Sequence, residues 1–175
     1  MTQKWDSQKY VQLVKKLGNY NLYESLMEDD PEKMVDLREL FFYNSCITAA
    51  IEYKDCQRYS TILHSFLAHE IDIERLRDKF LSFHIPKSRL ASETVEKIEE
   101  SIRDNKLTAE ELDLQIHWEP EFQILSEKID LIYQILDEEL FYFSYERWEY
   151  ANEFSVRIYL CLIIRKHIRI FKKLS

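Results

Sequence analysis

Turn-forming residues are scarce in this sequence. Its 175 residues include one glycine and three prolines. Proteins built from β-strands place glycine-rich turns roughly every 8–12 residues, so this composition favours helices joined by few turns. Phosphate-binding loops and the nucleophile elbow of serine hydrolases each need more than one glycine, so neither can be built here.

Cysteines and long apolar runs are also few. Cys46, Cys56 and Cys161 are odd in number, far apart and without a Cys-x-x-Cys pair, which predicts unpaired thiols in a reducing compartment. The most apolar run spans the seven residues 158–164, whereas a membrane-spanning helix needs about 20. The N-terminal residues contain no apolar signal core. We therefore expect a cytoplasmic protein with no membrane association.

Metal-binding spacings are missing as well. None of the five histidines belongs to a Glu-x-x-His or His-x-x-x-His pattern, the spacings with which helices hold metal ions. His64 and His69 would point about 140° away from each other on a helix. The sequence therefore predicts neither a metal site nor another cofactor.

An apolar repeat dominates the C-terminal third of the chain. Residues 122–174 form a run of 53 without glycine or proline. Apolar side chains recur there every three or four residues, namely Ile129, Tyr133, Leu136, Leu140, Phe143, Tyr150, Phe154, Cys161, Ile164, Ile168 and Phe171. This period is typical of an amphipathic helix. It predicts one long helix or a helix pair, around which a compact all-α bundle of seven or eight helices is organised as a single domain, residues 1–175.

Local signals predict where the other helices begin and end. Capping residues predict starts at Asp6 or Ser7, Asp30-Pro31, Asp72, Ser92 and the capping box Thr108–Glu111. Breakers predict ends at Gly18, near Lys54-Asp55, at Pro86 and before His117. The most polar stretch, residues 88–113, can be interpreted as a helical arm that projects from the bundle.

Charge is unevenly distributed along the chain. The net charge is −8, yet the chain from residue 157 onward has no acid and six bases: Arg157, Arg165, Lys166, Arg169, Lys172 and Lys173. Residues 1–156 keep 18 bases and 32 acids, a balance of −14. These cations complement the dipole at the end of a helix, or they form a basic end that docks on an acidic partner or nucleic acid.

Aromatic residues are more numerous than a plain bundle requires, with 11 tyrosines and ten phenylalanines. A central helix surrounded by others accounts for them, and so does a binding surface, because interface hot spots favour tryptophan, tyrosine and arginine. The predicted binding residues are Tyr145, Arg147, Trp148, Arg165, Lys166, Arg169, Lys172 and Lys173. Because Arg147 falls on the apolar stripe, we expect it to pair with an acid such as Glu24, Asp36 or Glu39.

Two Arg–His pairs have a spacing known from an enzyme family. Arg58 precedes His64 by six positions, and Arg77 precedes His84 by seven. This is similar to the active-site motif of the HEPN ribonucleases, small all-helical proteins, and the resemblance covers only these residues. It implies metal-independent RNA cleavage in a dimer cleft where both side chains meet solvent. Arg77 and His84 are nearly aligned on a helix, whereas the other pair is about 120° apart.

The structural interpretation of Arg77 and His84 is a surface cation beside acids and a histidine that interacts with a helix dipole. With no other catalytic pattern, the acidity and the aromatic excess predict a non-enzymatic module that binds another protein. It would act as an inhibitor, an immunity-type neutraliser or an accessory subunit of a larger complex. Nucleic acid would be reached only indirectly or through the basic C-terminal end. The alternative is a HEPN-like ribonuclease that uses Arg77 and His84.

Overall fold

A computed structural model describes residues 4–18, 20, 30–139, 157–158 and 160–162. The helices are α1 (Ser7–Leu17), α2 (Pro31–Tyr53), α3 (Cys56–Leu67), α4 (Ile73–Arg103), α5 (Ala109–Gln115) and α6 (Pro120–Gln134), and α6 continues as a π-helix, Ile135–Glu139. No strand occurs in the described residues, and the predicted all-α class is confirmed. Among the helices of these ranges, none has the length and apolar character of a membrane span.

The capping signals at Asp6, Asp30, Asp72 and Thr108 act as predicted. The oxygens of Asp6, Asp30, Asp72 and Thr108 accept hydrogen bonds from backbone amides two or three residues further on. Gly18 follows α1 with a φ of 60°, which glycine adopts without steric cost. The break between α2 and α3 also lies where it was predicted, at residues 54–55. Each of these features depends only on close neighbours in the chain.

The predicted helix end at Pro86 and the predicted start at Ser92 are wrong. Helix α4 is continuous over 31 residues, with Pro86 inside it. Proline has no N–H, so the carbonyl of Ser82, one turn earlier, loses its helical partner. Both residues are exposed, so water can bind that carbonyl. The helix tolerates the proline because the missing hydrogen bond faces solvent.

The chain divides into two compact units. Unit 1 combines residues 1–50 and 90–123, and unit 2 combines residues 51–89 and 124–175. The stretch 88–113 supplies unit 1 with buried apolar residues, namely Ala91, Val95, Ile98, Ile102, Leu107 and Leu112. The predicted single domain and the projecting arm stay predictions, as does a bundle organised around residues 122–174, which are described continuously only to Glu139.

The core of unit 2 is built from α3, α4 and α6. Its fully buried members include Tyr59, Phe66, Leu76, Phe80, Ile129, Ile132, Leu136 and Leu160. The guanidinium of Arg157 lies over the ring of Phe66, with 3.9 Å between Cζ and the ring centroid. Arg157 also donates hydrogen bonds to the carbonyls of Phe66 and Ile71. It therefore satisfies a backbone acceptor at the C-terminal end of α3 and another in the connection to α4.

Candidate functional site

The predicted binding residues all lie outside the described residues. These are Tyr145, Arg147, Trp148, Arg165, Lys166, Arg169, Lys172 and Lys173. Glu24, one of the acids predicted to pair with Arg147, also lies outside them. The other two acids, Asp36 and Glu39, each form an ion pair with a lysine of α1. The predicted binding surface and the pairing of Arg147 therefore stay predictions.

His84 lies in the interior of unit 2, with 3% of its surface exposed. Its Nδ1 shares a hydrogen bond of 3.0 Å with the hydroxyl of Tyr59. Its ring is 4.8 Å from that of Tyr133 and 5.6 Å from that of Phe80, measured between centroids. Burial lowers the pKa of His84, so the imidazole is neutral at pH 7. Arg77, two turns earlier on α4, is partly exposed.

The second Arg–His pair, Arg58 and His64, is exposed. The Nδ1 atom of His64 lies 2.8 Å from the carbonyl oxygen of Ser60. A carbonyl can only accept a hydrogen bond, so Nδ1 carries the proton. It therefore cannot take a proton from the Ser60 hydroxyl, 3.1 Å away. Arg58 is held over the ring of Phe83 at 4.5 Å. Arg58 and His64 are therefore engaged by different neighbours, Phe83 and Ser60.

An open groove of about 780 Å³ lies beside α3. It is lined by Gln57, Ser60, Thr61, His64, Ser65, Leu67, Ala68 and Glu70. The lining is mostly uncharged and polar, whereas ligand pockets are mainly apolar with a few convergent polar groups. The groove therefore lacks the character of a small-molecule site.

Metal and thiol chemistry find little support in the described residues. Within those ranges, no three His, Cys, Asp or Glu side chains are grouped so that they could hold a metal ion. Cys46 and Cys56 are buried free thiols, and Cys161 is partly exposed. Burial raises the pKa of Cys46 to about 12 and also raises that of Cys56. Both buried thiols stay protonated and are poor nucleophiles at neutral pH.

One side of helix α5 packs against the N-terminal part of unit 1. Leu112 is fully buried. The carboxylate of Asp113 accepts hydrogen bonds from Trp5 Nε1 at 3.0 Å and from the Ser7 hydroxyl at 2.7 Å. Asp113 thus joins α5 to the beginning of α1 and determines which side of α5 meets solvent.

The outer side of α5 displays an exposed leucine between carboxylates. Leu114 is 88% exposed, the highest value among the large apolar side chains of the described residues. Glu110 and Glu111, one turn earlier, are also exposed. Glu111 is fixed by the capping box, because it accepts hydrogen bonds from the Thr108 backbone and hydroxyl, which lower its pKa. We call Glu110, Glu111 and Leu114 the α5 face.

The surroundings of the α5 face are strongly acidic in sequence. Residues 90–123 contain three bases, Lys97, Arg103 and Lys106, and ten acids, Glu93, Glu96, Glu99, Glu100, Asp104, Glu110, Glu111, Asp113, Glu119 and Glu121. Seven of these acids are exposed: Glu96, Glu100, Asp104, Glu110, Glu111, Asp113 and Glu119. Residues 90–123 therefore carry an excess of negative charge, which favours a positively charged partner.

Sequence reasoning did not single out the α5 face, although a signal was present. Leu112 and Leu114 are two residues apart, so they lie about 200° apart on a helix. The same side of a short helix cannot bury both. Which leucine faces inward depends on Asp113 and its partners Trp5 and Ser7, more than 100 residues earlier in the chain. The spacing requires that one of the two leucines is exposed, and only the fold shows that it is Leu114.

Comparisons of this chain with protein-family models, with curated proteins and with solved structures find no significant match.

Proposed function

We propose that this chain is a non-enzymatic module that binds another protein, as an inhibitor, an immunity-type neutraliser or an accessory subunit. It binds a basic surface of that protein through the α5 face. The observation that carries the proposal is Leu114, an apolar side chain that is 88% exposed beside two exposed carboxylates. Protein interfaces have an apolar core inside a polar rim, and Leu114 with its two carboxylates fits that arrangement.

The charges of residues 90–123 favour a partner with a basic surface over one with an acidic surface. The excess of acids between residues 90 and 123 attracts a positive surface over several ångströms and raises the rate of association. Leu114 then contributes affinity, because its burial in the complex removes apolar surface from water. The carboxylates steer the encounter, and the leucine slows dissociation.

The burial of His84 is the argument against the ribonuclease alternative. A general base must reach the substrate within hydrogen-bond distance. The imidazole of His84 is 3% exposed and already bonded to Tyr59. Arg77 without an accessible histidine cannot perform the acid–base step that this alternative requires.

Replacing Leu114 by alanine is expected to weaken binding to the partner about tenfold or more, because a central apolar anchor is lost. The partner is first isolated with the tagged chain from cells of the source organism and identified. Its affinity for the wild type and the variants is then measured by calorimetry. Glu110→Lys is expected to weaken binding as well, and more strongly at low than at high salt.

Leu90→Ala is the matched control, since Leu90 is an exposed leucine of unit 1 on α4, with 47% of its surface accessible. We expect it to bind like the wild type. Equal affinities for the Leu114 variant, the Leu90 variant and the wild type would show that the α5 face is not the binding surface. Failure to isolate any protein partner would contradict the binding function itself.

Purified protein is expected to leave RNA intact in the presence of a chelator, because solvent does not reach the His84 imidazole. The measurement is gel analysis of a labelled RNA after prolonged incubation. Arg77→Ala is the informative variant, since Arg77 is partly exposed and its loss does not open the core. Cleavage by the wild type that Arg77→Ala abolishes would establish the ribonuclease and contradict the proposal that the module is non-enzymatic.

A further inference from the structure

A carboxyl group is buried in unit 2 and forms no ion pair with another described residue. Glu52 lies near the end of α2 and is 3% exposed. Its Oε2 accepts a hydrogen bond of 2.6 Å from the hydroxyl of Ser126, a buried residue of α6. Among the ion pairs between described residues, none includes Glu52. A hydroxyl is a weak substitute for water or for a cation around an ionised carboxylate.

The other groups around Glu52 further disfavour a negative charge on its carboxyl group. Asp130 lies one turn after Ser126 on α6, and its charge disfavours a second charge on Glu52. Tyr59 on α3 is within electrostatic reach of Glu52, Asp55 and Asp130. Lys87 on α4, a cation of the same unit, is paired with Asp55 at 2.5 Å. The environment therefore favours the neutral acid.

We propose that Glu52 is a pH sensor built into unit 2. As a neutral acid it fits its buried position between α2 and α6, and when it loses its proton it weakens the packing of these two helix segments. The elements in contact there are residues 51–53 of α2 and the part of α6 that follows residue 124, both of which belong to unit 2.

The direction of the pH effect follows from where the proton is bound. Burial, and then the charge of Asp130, raise the pKa of Glu52 to about 7 in the folded protein, from an ordinary value of 4.5. The folded state therefore holds a proton that the unfolded state has released between these two values. Stability from Glu52 is present below the lower value and is lost as the pH rises through about 7.

His84 has the opposite effect on how the stability of unit 2 depends on pH. Burial lowers its pKa. Below about pH 6.5 the unfolded state therefore binds a proton that the folded state does not bind. Its contribution to stability is lost as the pH falls. Between pH 6 and pH 8 the two groups therefore oppose each other, and the contribution of Glu52 is the part of the pH dependence that Glu52→Gln removes.

The first test is a direct titration of Glu52 by NMR in the unmodified chain, with carbon-13 in the glutamate carboxyl groups. The Glu52 signal is assigned as the one absent from Glu52→Gln. We expect its midpoint near pH 7, the value raised by burial. A midpoint near the ordinary 4.5 would overturn the proposal.

The second test compares urea unfolding midpoints at pH 6 and pH 8. The midpoint of Glu52→Gln is expected to exceed that of the wild type by more at pH 8 than at pH 6, because glutamine imitates the neutral acid and His84 contributes equally to both proteins. Glu74→Gln is the control, since Glu74 is an exposed glutamate of α4 in the same unit, and it is expected to behave like the wild type. An equal change between pH 6 and pH 8 in Glu52→Gln and in the wild type would overturn the proposal.

Discussion

Replacing Phe66 by alanine is expected to lower the free energy of unfolding by about 4 kcal/mol. Phe66 is fully buried in the core of unit 2, so its removal leaves a cavity that the packed helices fill only in part. The variant also removes the ring beneath the guanidinium of Arg157, 3.9 Å from its centroid. The measurement is urea unfolding followed by circular dichroism at 222 nm.

Phe41→Ala is the matched control for this prediction. Phe41 lies on α2 with 38% of its surface exposed. The same substitution there removes less buried apolar area and leaves no closed cavity. We expect a loss of about 1 kcal/mol. Equal losses for the two variants would mean that Phe66 is not part of a closely packed core.

Replacing Asn44 by leucine is expected to cost about 3 kcal/mol, because it breaks a polar network inside unit 1. The amide oxygen of Asn44 accepts a hydrogen bond of 2.9 Å from the Tyr10 hydroxyl. Its nitrogen donates one of 2.9 Å to Glu99. Glu99 is buried and also pairs with Arg103 at 3.3 Å. Leucine has the same branched arrangement of side-chain heavy atoms as asparagine but leaves the hydroxyl and the carboxylate without this partner.

Gln123→Leu is the control for the loss of an amide in unit 1. The Gln123 nitrogen donates a long hydrogen bond of 3.3 Å to Ser45, and its buried oxygen has no partner among the described residues. Removing an unsatisfied buried acceptor costs little, so we expect a change within about 1 kcal/mol. Thermal unfolding by calorimetry measures both variants.

A double-mutant cycle tests the mechanism of the Asn44 effect. If Tyr10→Phe is combined with Asn44→Leu, the total loss is expected to be smaller than the sum of the single losses by roughly 1 kcal/mol, since both remove the same hydrogen bond. Fully additive losses would show that the Tyr10–Asn44 contact makes no contribution of its own.

Several local features were readable from the sequence because they require only nearby residues. The all-α class follows from the shortage of glycine and proline together with apolar residues at helical spacing. The caps at Asp6, Asp30, Asp72 and Thr108 were predicted, since a side-chain oxygen reaches amides two or three positions away. These contacts do not depend on how the helices pack.

The tertiary structure decided the points that depend on what each side chain faces. Pro86 was predicted to end a helix, and it does not, because the bond it removes faces water. His84 had the spacing of a catalytic residue, yet Tyr59 and Tyr133, from other helices, enclose it. Glu52 accepts a hydrogen bond from Ser126, 74 positions away, and burial raises its pKa. A one-dimensional pattern defines which side of a helix is apolar, but burial and pKa depend on neighbours that only folding brings together.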